Sequence, residues 1–221
     1  GLNLHKAIAK EDANLYFSKN KECLSLSMIK ELDKERVVNL IRWWLDVNKQ
    51  MMPSKKTINE LYNQIKVVKK DSQINVHISS ETSVRAYSDF LWLVKITKDK
   101  DSYDLIWKGE DIFELPGSSK LLFKPCLGKG ISLEKVGSSI LRIQNRKGGE
   151  RFKPKRNQPT RTLKYLLQKM NMPPWERALL PIIYSEDMLV AVPNYGVHHE
   201  FIADKDKIGL TIEWVNYESK I

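Results

Sequence analysis

Apolar positions in the first seventy residues recur with the period of a helix. Val37, Leu40, Ile41, Trp44 and Leu45 fall at i, i+3, i+4, i+7 and i+8, which is one helical face. Asp33 stands ahead of them as an N-cap, and the pattern runs to about Asn48. Trp43 lies off the stripe. Met52-Pro53 breaks the chain, and Ser54 caps a second helix whose face carries Ile58, Leu61, Tyr62 and Ile65. Leu4, Ile8 and Leu15 predict a further helix over residues 4–17. These stripes read as core, not as a cofactor box.

Beyond residue 73 the period changes to two. Ile74, Val76 and Ile78 alternate with polar residues. Val84 to Tyr87 and Phe90 to Ile96 flank Ser88-Asp89, which predicts a hairpin. Tyr103 to Trp107 reads as the next strand. Residues 97–104 and 116–130 are rich in Lys, Asp, Gly, Ser and Pro and are expected to be loop or linker. A domain boundary is placed near 108–115.

In the last hundred residues, Ile140 to Gln144 predicts a strand. Leu163, Leu166, Leu167 and Met170 predict a helix begun at Thr160 or Thr162 and ended by Pro173-Pro174. Trp175 to Leu180 can make one or two further turns. Strands follow at Ile182–Tyr184 and Met188–Val192, around Ser185-Glu186-Asp187. Ile208, Leu210, Ile212 and Trp214 alternate as a half-buried final strand. The expected class is α+β. A largely helical first domain with a small β-hairpin region spans 1–110, and a small α+β domain spans 111–221. No internal repeat is visible.

Composition fits a globular protein: 221 residues, 42% apolar and 29% charged. A chain this long buries a core without covalent staples. No stretch approaches the ~18 apolar residues of a membrane helix, and no secretory signal opens the sequence. Cys23 and Cys126 stand far apart with no CxxC, which excludes a disulfide framework and a cysteine zinc site and points to reduced thiols in the cytoplasm. The chain opens on Gly1 rather than Met, which reads as a shortened protein with a leftover tag residue.

Charge changes the picture most. The net charge is +10, and the segment from Arg142 to Lys169 holds ten Lys or Arg against one acid, Glu150. The last forty residues are net acidic. A basic patch confined to one segment is the footprint of a polyanion site, with a solvated basic loop as the bland alternative. Arg supplies a planar fork for phosphate. Gly148-Gly149 allow backbone N–H groups to approach a ligand, or simply make a tight turn. The candidate phosphate contacts are Arg146, Lys147, Arg151, Lys153, Lys155, Arg156, Arg161 and Lys164, with Gly148 and Gly149 giving backbone approach. Phe152, Tyr165 and Trp175 lie among or after these cations, where aromatics can stack on bases, although packing suits Trp175 better.

Enzyme motifs are absent. The sequence has no GxxxxGK[ST], no GxGxxG, no GxSxG and no HExxH. His198-His199 is the nearest thing to a metal cluster, and adjacent residues on a strand would point to opposite faces. No metal site and no catalytic residue is assigned.

The run Gly148-Gly149-Glu150-Arg151-Phe152, then Thr162-Leu163-Lys164 with Leu166-Leu167-Gln168, then Met172-Pro173-Pro174-Trp175, Arg177, Leu180-Pro181 and Leu189-Val190-Ala191-Val192-Pro193 resembles the C-terminal domain of bacterial tRNA(Ile)-lysidine synthetases. Arg42-Trp43-Trp44-Leu45, Met52-Pro53-Ser54 and Arg85-Ala86-Tyr87 are similar to the family's middle, substrate-recognition domain. Two departures stand out. Asn157-Gln158-Pro159-Thr160-Arg161 replaces a usual glycine-rich patch, and Asn194 follows Val192-Pro193 where glycine is common. The family's Ser-Gly-Gly-x-Asp-Ser ATP loop has no counterpart in this sequence.

The resemblance implies a parent ATP-dependent ligase acting in the cytoplasm. It adenylates the wobble cytidine of a CAU anticodon and lets lysine displace AMP, giving lysidine. It implies that this chain is the non-catalytic, tRNA-binding part, inactive alone and holding no cofactor. ATP with Mg and lysine belong to the N-terminal catalytic domain. The implied partners are an isoleucine tRNA with CAU anticodon and that catalytic domain, with no membrane; self-association stays open. In the first domain, Arg42, Lys55, Lys56 and Arg85 are further candidate tRNA contacts, Arg85 equally suiting a structural ion pair. The alternative from another class is a basic interaction module for generic RNA or an acidic partner.

Overall fold

The structure is a computed structural model that describes residues 17–18, 23–68, 73–96 and 102–216. It divides into two compact units, residues 1–98 and 99–220. The helix expected over 4–17 lies outside the described residues, except for Phe17, which is in a strand.

The first unit contains strands β1 (Phe17–Ser18) and β2 (Cys23–Ser25), helices α1 (Leu26–Lys30), α2 (Lys34–Val47) and α3 (Lys55–Val67), then strands β3 (Asn75–His77), β4 (Thr82–Tyr87) and β5 (Phe90–Lys95). Both long helices start where their caps predict. Asp33 accepts from the Arg36 N–H at 2.9 Å, and Ser54 accepts from the Thr57 N–H at 3.1 Å. The α2 stripe Val37, Leu40, Ile41, Trp44 and Leu45 is buried in full, against Ile58, Leu61 and Ile65 of α3. Ser88 and Asp89 both have positive φ, as a two-residue hairpin turn requires. Asp89 also tethers the start of α1: its carboxylate accepts from the Ser27 N–H at 2.9 Å, and its carbonyl accepts from the Leu26 N–H.

This unit is less purely helical than expected. The hairpin belongs to a five-stranded antiparallel sheet in the order β1-β2-β5-β4-β3. Strand β2 is three residues long and pairs Leu24 with Leu91, so neither length nor periodicity announces it.

The second unit runs through β6 (Asp104–Ile106), β7 (Ile112–Leu115), β8 (Ser119–Leu127), α4 (Leu133–Val136), β9 (Leu141–Asn145), β10 (Arg151–Phe152), β11 (Arg161–Thr162), α5 (Leu163–Lys169), α6 (Pro174–Leu179), β12 (Pro181–Ser185), β13 (Met188–Val192), β14 (Gly196–Val197) and β15 (Ile208–Asn216). Strand β6 pairs with β9, so a boundary at 108–115 would cut a sheet; the division falls earlier in the chain. Residues 119–127, expected as loop, form the middle strand of β15-β8-β7 and pair with β15 at nine positions. Pro125 is tolerated because β7 reaches only Leu122, leaving that side of β8 without a ladder.

The central sheet, ordered β14-β13-β12-β9-β6, is covered on both faces. Ile143, Ile183 and Ala191 pack with Leu121 and Phe123 of the smaller sheet. Ile182, Leu189 and Val192 pack with Phe152, Leu163 and Leu167. Double coverage explains the nearly continuous apolar runs of β12 and β13. It also fixes the basic segment, because Phe152 and α5 are the covering layer on the second face.

Candidate nucleic-acid interface

The basic segment leaves the central sheet at Asn145, the last residue of β9, and makes a tight loop. Gly148 (φ +89°) and Gly149 (φ +80°) both adopt the left-handed conformation, which is why this loop needs glycine. Apart from the adjoining residues, no atom lies within 4 Å of where their side chains would begin, so the requirement is conformational rather than steric. The loop closes on Glu150. One carboxylate oxygen accepts from the N–H groups of Lys147 and Gly148, each at 2.7 Å. The other accepts from Arg146 Nη2 at 3.1 Å and Nε at 3.3 Å. The Glu150 side chain is 5% exposed and that of Arg146 is 12% exposed. Burial alone would raise the Glu150 carboxyl. The N–H groups of Gly148, Glu150 and Lys147, with the Arg146 charge, outweigh it and hold the carboxyl below its usual range.

Arg146 is therefore committed inside the protein, and its remaining nitrogen reaches the Arg177 carbonyl at 3.4 Å. That engagement leaves the Arg146 guanidinium less available as a phosphate contact than the exposed candidates around it. The N–H groups of Lys147 and Gly148 likewise point at the protein's own carboxylate rather than outward. Arg142 is paired too, by a two-pronged contact with Asp104 at 2.8 Å for each prong. Its guanidinium holds the Asp104 carboxyl below the usual range.

The other candidates sit beyond this root. Strands β10 and β11 pair Arg151 with Thr162 and Phe152 with Arg161, and the loop 153–160 joins them. Lys147, Arg151, Lys155, Arg156, Arg161 and Lys164 are all exposed, and Lys153 is half-buried. Arg161 lies 5.5 Å from the centre of the Tyr165 ring, and that side chain is 46% exposed. Phe152 is fully buried, which overturns any stacking role for it. The hairpin and the first turn of α5 thus gather Arg151, Arg161, Lys164 and Tyr165, and the loop adds Lys155 and Arg156. Residues 157–160 are exposed, with the Gln158 N–H bonded to the Lys155 carbonyl.

In the first unit, Arg42 is exposed on α2. Lys55 and Lys56 are exposed in the first turn of α3, which carries no acid to balance the positive helix end. That placement works against the helix and leaves a concentrated positive spot. Arg85 is half-buried on β4, and its Nε donates to the Ser83 hydroxyl at 3.1 Å, a structural engagement. Lys66, the penultimate residue of α3, donates to the carbonyls of Lys30 at 2.5 Å and Leu32 at 2.7 Å and so caps α1.

His198 and His199 follow β14 rather than lying on a strand. Their rings are 4.6 Å apart, so they do not point to opposite faces as expected. Burial and the neighbouring His199 push the His198 imidazole below its usual range, against the pull of Glu200. Its ring meets Phe152, and the His199 N–H donates to the Lys153 carbonyl, so this pair supports the hairpin from behind. Among the described residues no three His, Cys, Asp or Glu side chains are grouped to hold a metal ion.

Sequence reasoning passed over Glu150 as a site residue. Its signal was plain in hindsight: one acid among ten cations, directly after paired glycines.

Comparison with known proteins finds matches in both units. The TilS substrate binding domain matches residues 24–92, and the TilS substrate C-terminal domain matches residues 141–214. The tRNA(Ile)-lysidine synthase of Nitrosomonas europaea is 27% identical over 193 residues, covering 86% of this chain and 42% of that protein. That of Buchnera aphidicola is 29% identical over 205 residues, with 88% and 44% covered. That of Coxiella burnetii is 28% identical over 209 residues, with 93% and 45% covered. A crystal structure of a TilS C-terminal domain is 18% identical, covers 53% of this chain and 98% of its own, and has a TM-score of 0.43. The chain spans less than half the length of the curated relatives it matches. One matched segment falls in each compact unit, so the chain carries a TilS substrate binding domain and a TilS substrate C-terminal domain.

Proposed function

We propose that this chain is the tRNA-gripping part of a tRNA(Ile)-lysidine synthase. It holds an isoleucine tRNA with a CAU anticodon while a separate catalytic domain, using ATP with Mg and lysine, converts the wobble cytidine to lysidine. The observation that carries the reading is the exposed set Lys147, Arg151, Lys155, Arg156, Arg161 and Lys164, inside the segment that matches the C-terminal substrate domain. Phosphate contacts of this kind position an RNA and do not read its bases. Arg42, Lys55 and Lys56 give the first unit a smaller contact of the same kind. The given sequence carries no Ser-Gly-Gly-x-Asp-Ser ATP loop, and the chain alone is expected to be inactive with ATP, lysine and tRNA.

The test is binding of the chain to the CAU-anticodon isoleucine tRNA, an elongator methionine tRNA and heparin at two salt concentrations. Neutralising roughly four to eight phosphates makes affinity fall by orders of magnitude over a fourfold rise in salt. Preference for the isoleucine tRNA places discrimination in these two domains. Equal binding to both tRNAs, above heparin, leaves the choice to the catalytic domain. No preference over heparin rejects the reading in favour of a generic basic module.

A further inference from the structure

We infer that Glu150 is a positioning residue for RNA binding: its carboxylate holds the glycine loop closed and thereby presents Lys147 and Arg151 to the phosphate backbone. The inference rests on the reading that the basic segment holds tRNA. It goes further because it gives an acid, the wrong charge for a phosphate site, a required role there.

The geometry is specific. A single carboxylate, almost wholly buried, satisfies two consecutive backbone N–H groups and a guanidinium. Successive N–H groups converging in this way form a concave anion site, and here the anion is supplied by the chain itself. Both glycines hold positive φ in the closed loop, and glycine visits many other conformations as readily, so the loop depends on its anchor to stay in this one. The same residue is tied at its backbone, because the Glu150 carbonyl accepts from the Leu163 N–H at 2.7 Å. Glu150 therefore joins three elements: the end of β9, the loop and the start of α5. Lys147 precedes the glycines and Arg151 follows Glu150, so both exposed cations are one residue from a fixed point. Preorganising a contact in this way avoids the ordering cost at the moment of binding.

Net charge makes the opposite prediction, which is what makes the inference testable. Glu150→Gln removes the lone acid of the basic segment and raises the net charge by one. If charge alone governs, tRNA binding tightens. If Glu150 positions the loop, binding weakens by roughly tenfold, the lower end of the loss at metal sites when the residues that orient the ligands are changed.

The experiment measures tRNA affinity and its salt slope for the full chain, Glu150→Gln, Lys147→Gln and the double variant, with thermal melting as a fold control. Weaker binding by Glu150→Gln, and a smaller loss when Lys147 is already Gln, supports positioning through the loop. Tighter or unchanged binding, or purely additive losses, overturns it. Should Glu150→Gln fail to fold at the assay temperature, Lys147→Gln decides. A salt slope reduced by about one supports a held contact, and an unchanged slope overturns the inference. If the unsubstituted chain binds tRNA no better than heparin, the functional reading itself fails, a result distinct from tightening by Glu150→Gln.

Discussion

The root and the outer part of the basic segment have the same composition and opposite fates. At the root, Arg142 and Arg146 are spent on Asp104 and Glu150. Further out, Arg151, Lys155, Arg156, Arg161 and Lys164 have no salt-bridge partner among the described residues and stand exposed. What separates the two groups is the backbone. At the root the chain leaves a buried sheet, and acids from the sheet edge and the loop fall within reach. At the hairpin it runs over the covering layer of Phe152, Leu163 and Leu167, whose apolar atoms offer no counter-charge. A charge count along a sequence measures what is available; the fold decides how much of it is presented.

The largest effect is expected in the outer part. Reversing Arg151 and Lys155 to Glu together should weaken tRNA binding by about 100-fold at low salt and reduce the salt slope by about two. Circular dichroism and melting should stay unchanged, since neither side chain is buried. A result near wild type would erase the contrast between the two groups.

At the root the corresponding change should show in stability. Glu150→Ala leaves Arg146 and two loop amides without their acceptor, at a cost of about 2–3 kcal/mol, read as a shift in the denaturant midpoint with unchanged slope. Arg151→Ala should barely move that midpoint. The pH dependence carries the same signature. The Glu150 carboxyl is held below its unfolded value, so its contribution to stability is full above that value, about 4.3, and is lost as pH falls through the lower folded one. Replacing Glu150 with Gln should remove that share of the acid sensitivity. An unaltered acid limb in the variant would show that the contribution lies elsewhere.

Much of the fold was legible because its determinants are local. The caps Asp33 and Ser54, the α2 stripe and the Ser88-Asp89 turn each sit within a few residues of what they specify. Asn194 stands where the resembled family commonly has glycine. It holds a φ of +62°, and its side chain adds what glycine could not, donating to the Trp214 carbonyl and accepting from the Trp214 N–H, both at 2.9 Å. What escaped was set by distant partners. Strand β2 is defined by β5, and β8 by its nine pairings with β15. For the same reason Arg146 could not be told from Arg151, since both are arginines flanking Gly-Gly-Glu. Only the closed loop shows which of them faces inward.

The smallest expected effect sharpens the contrast most. Asp104→Asn and Glu150→Gln each replace an acid by its amide, each release an arginine of the same segment, and each raise the net charge by one. The Arg142–Asp104 pair is solvent-exposed on both sides, so its loss disturbs little structure, and neither backbone amides nor a glycine loop depend on it. Asp104→Asn should therefore leave tRNA binding unchanged or tighten it by about twofold, as a freed surface cation would. Glu150→Gln should weaken it. Tightening by both substitutions would mean that charge alone governs the site. Opposite signs from the same change in charge can arise only if one acid organises the surface that the other merely neutralises.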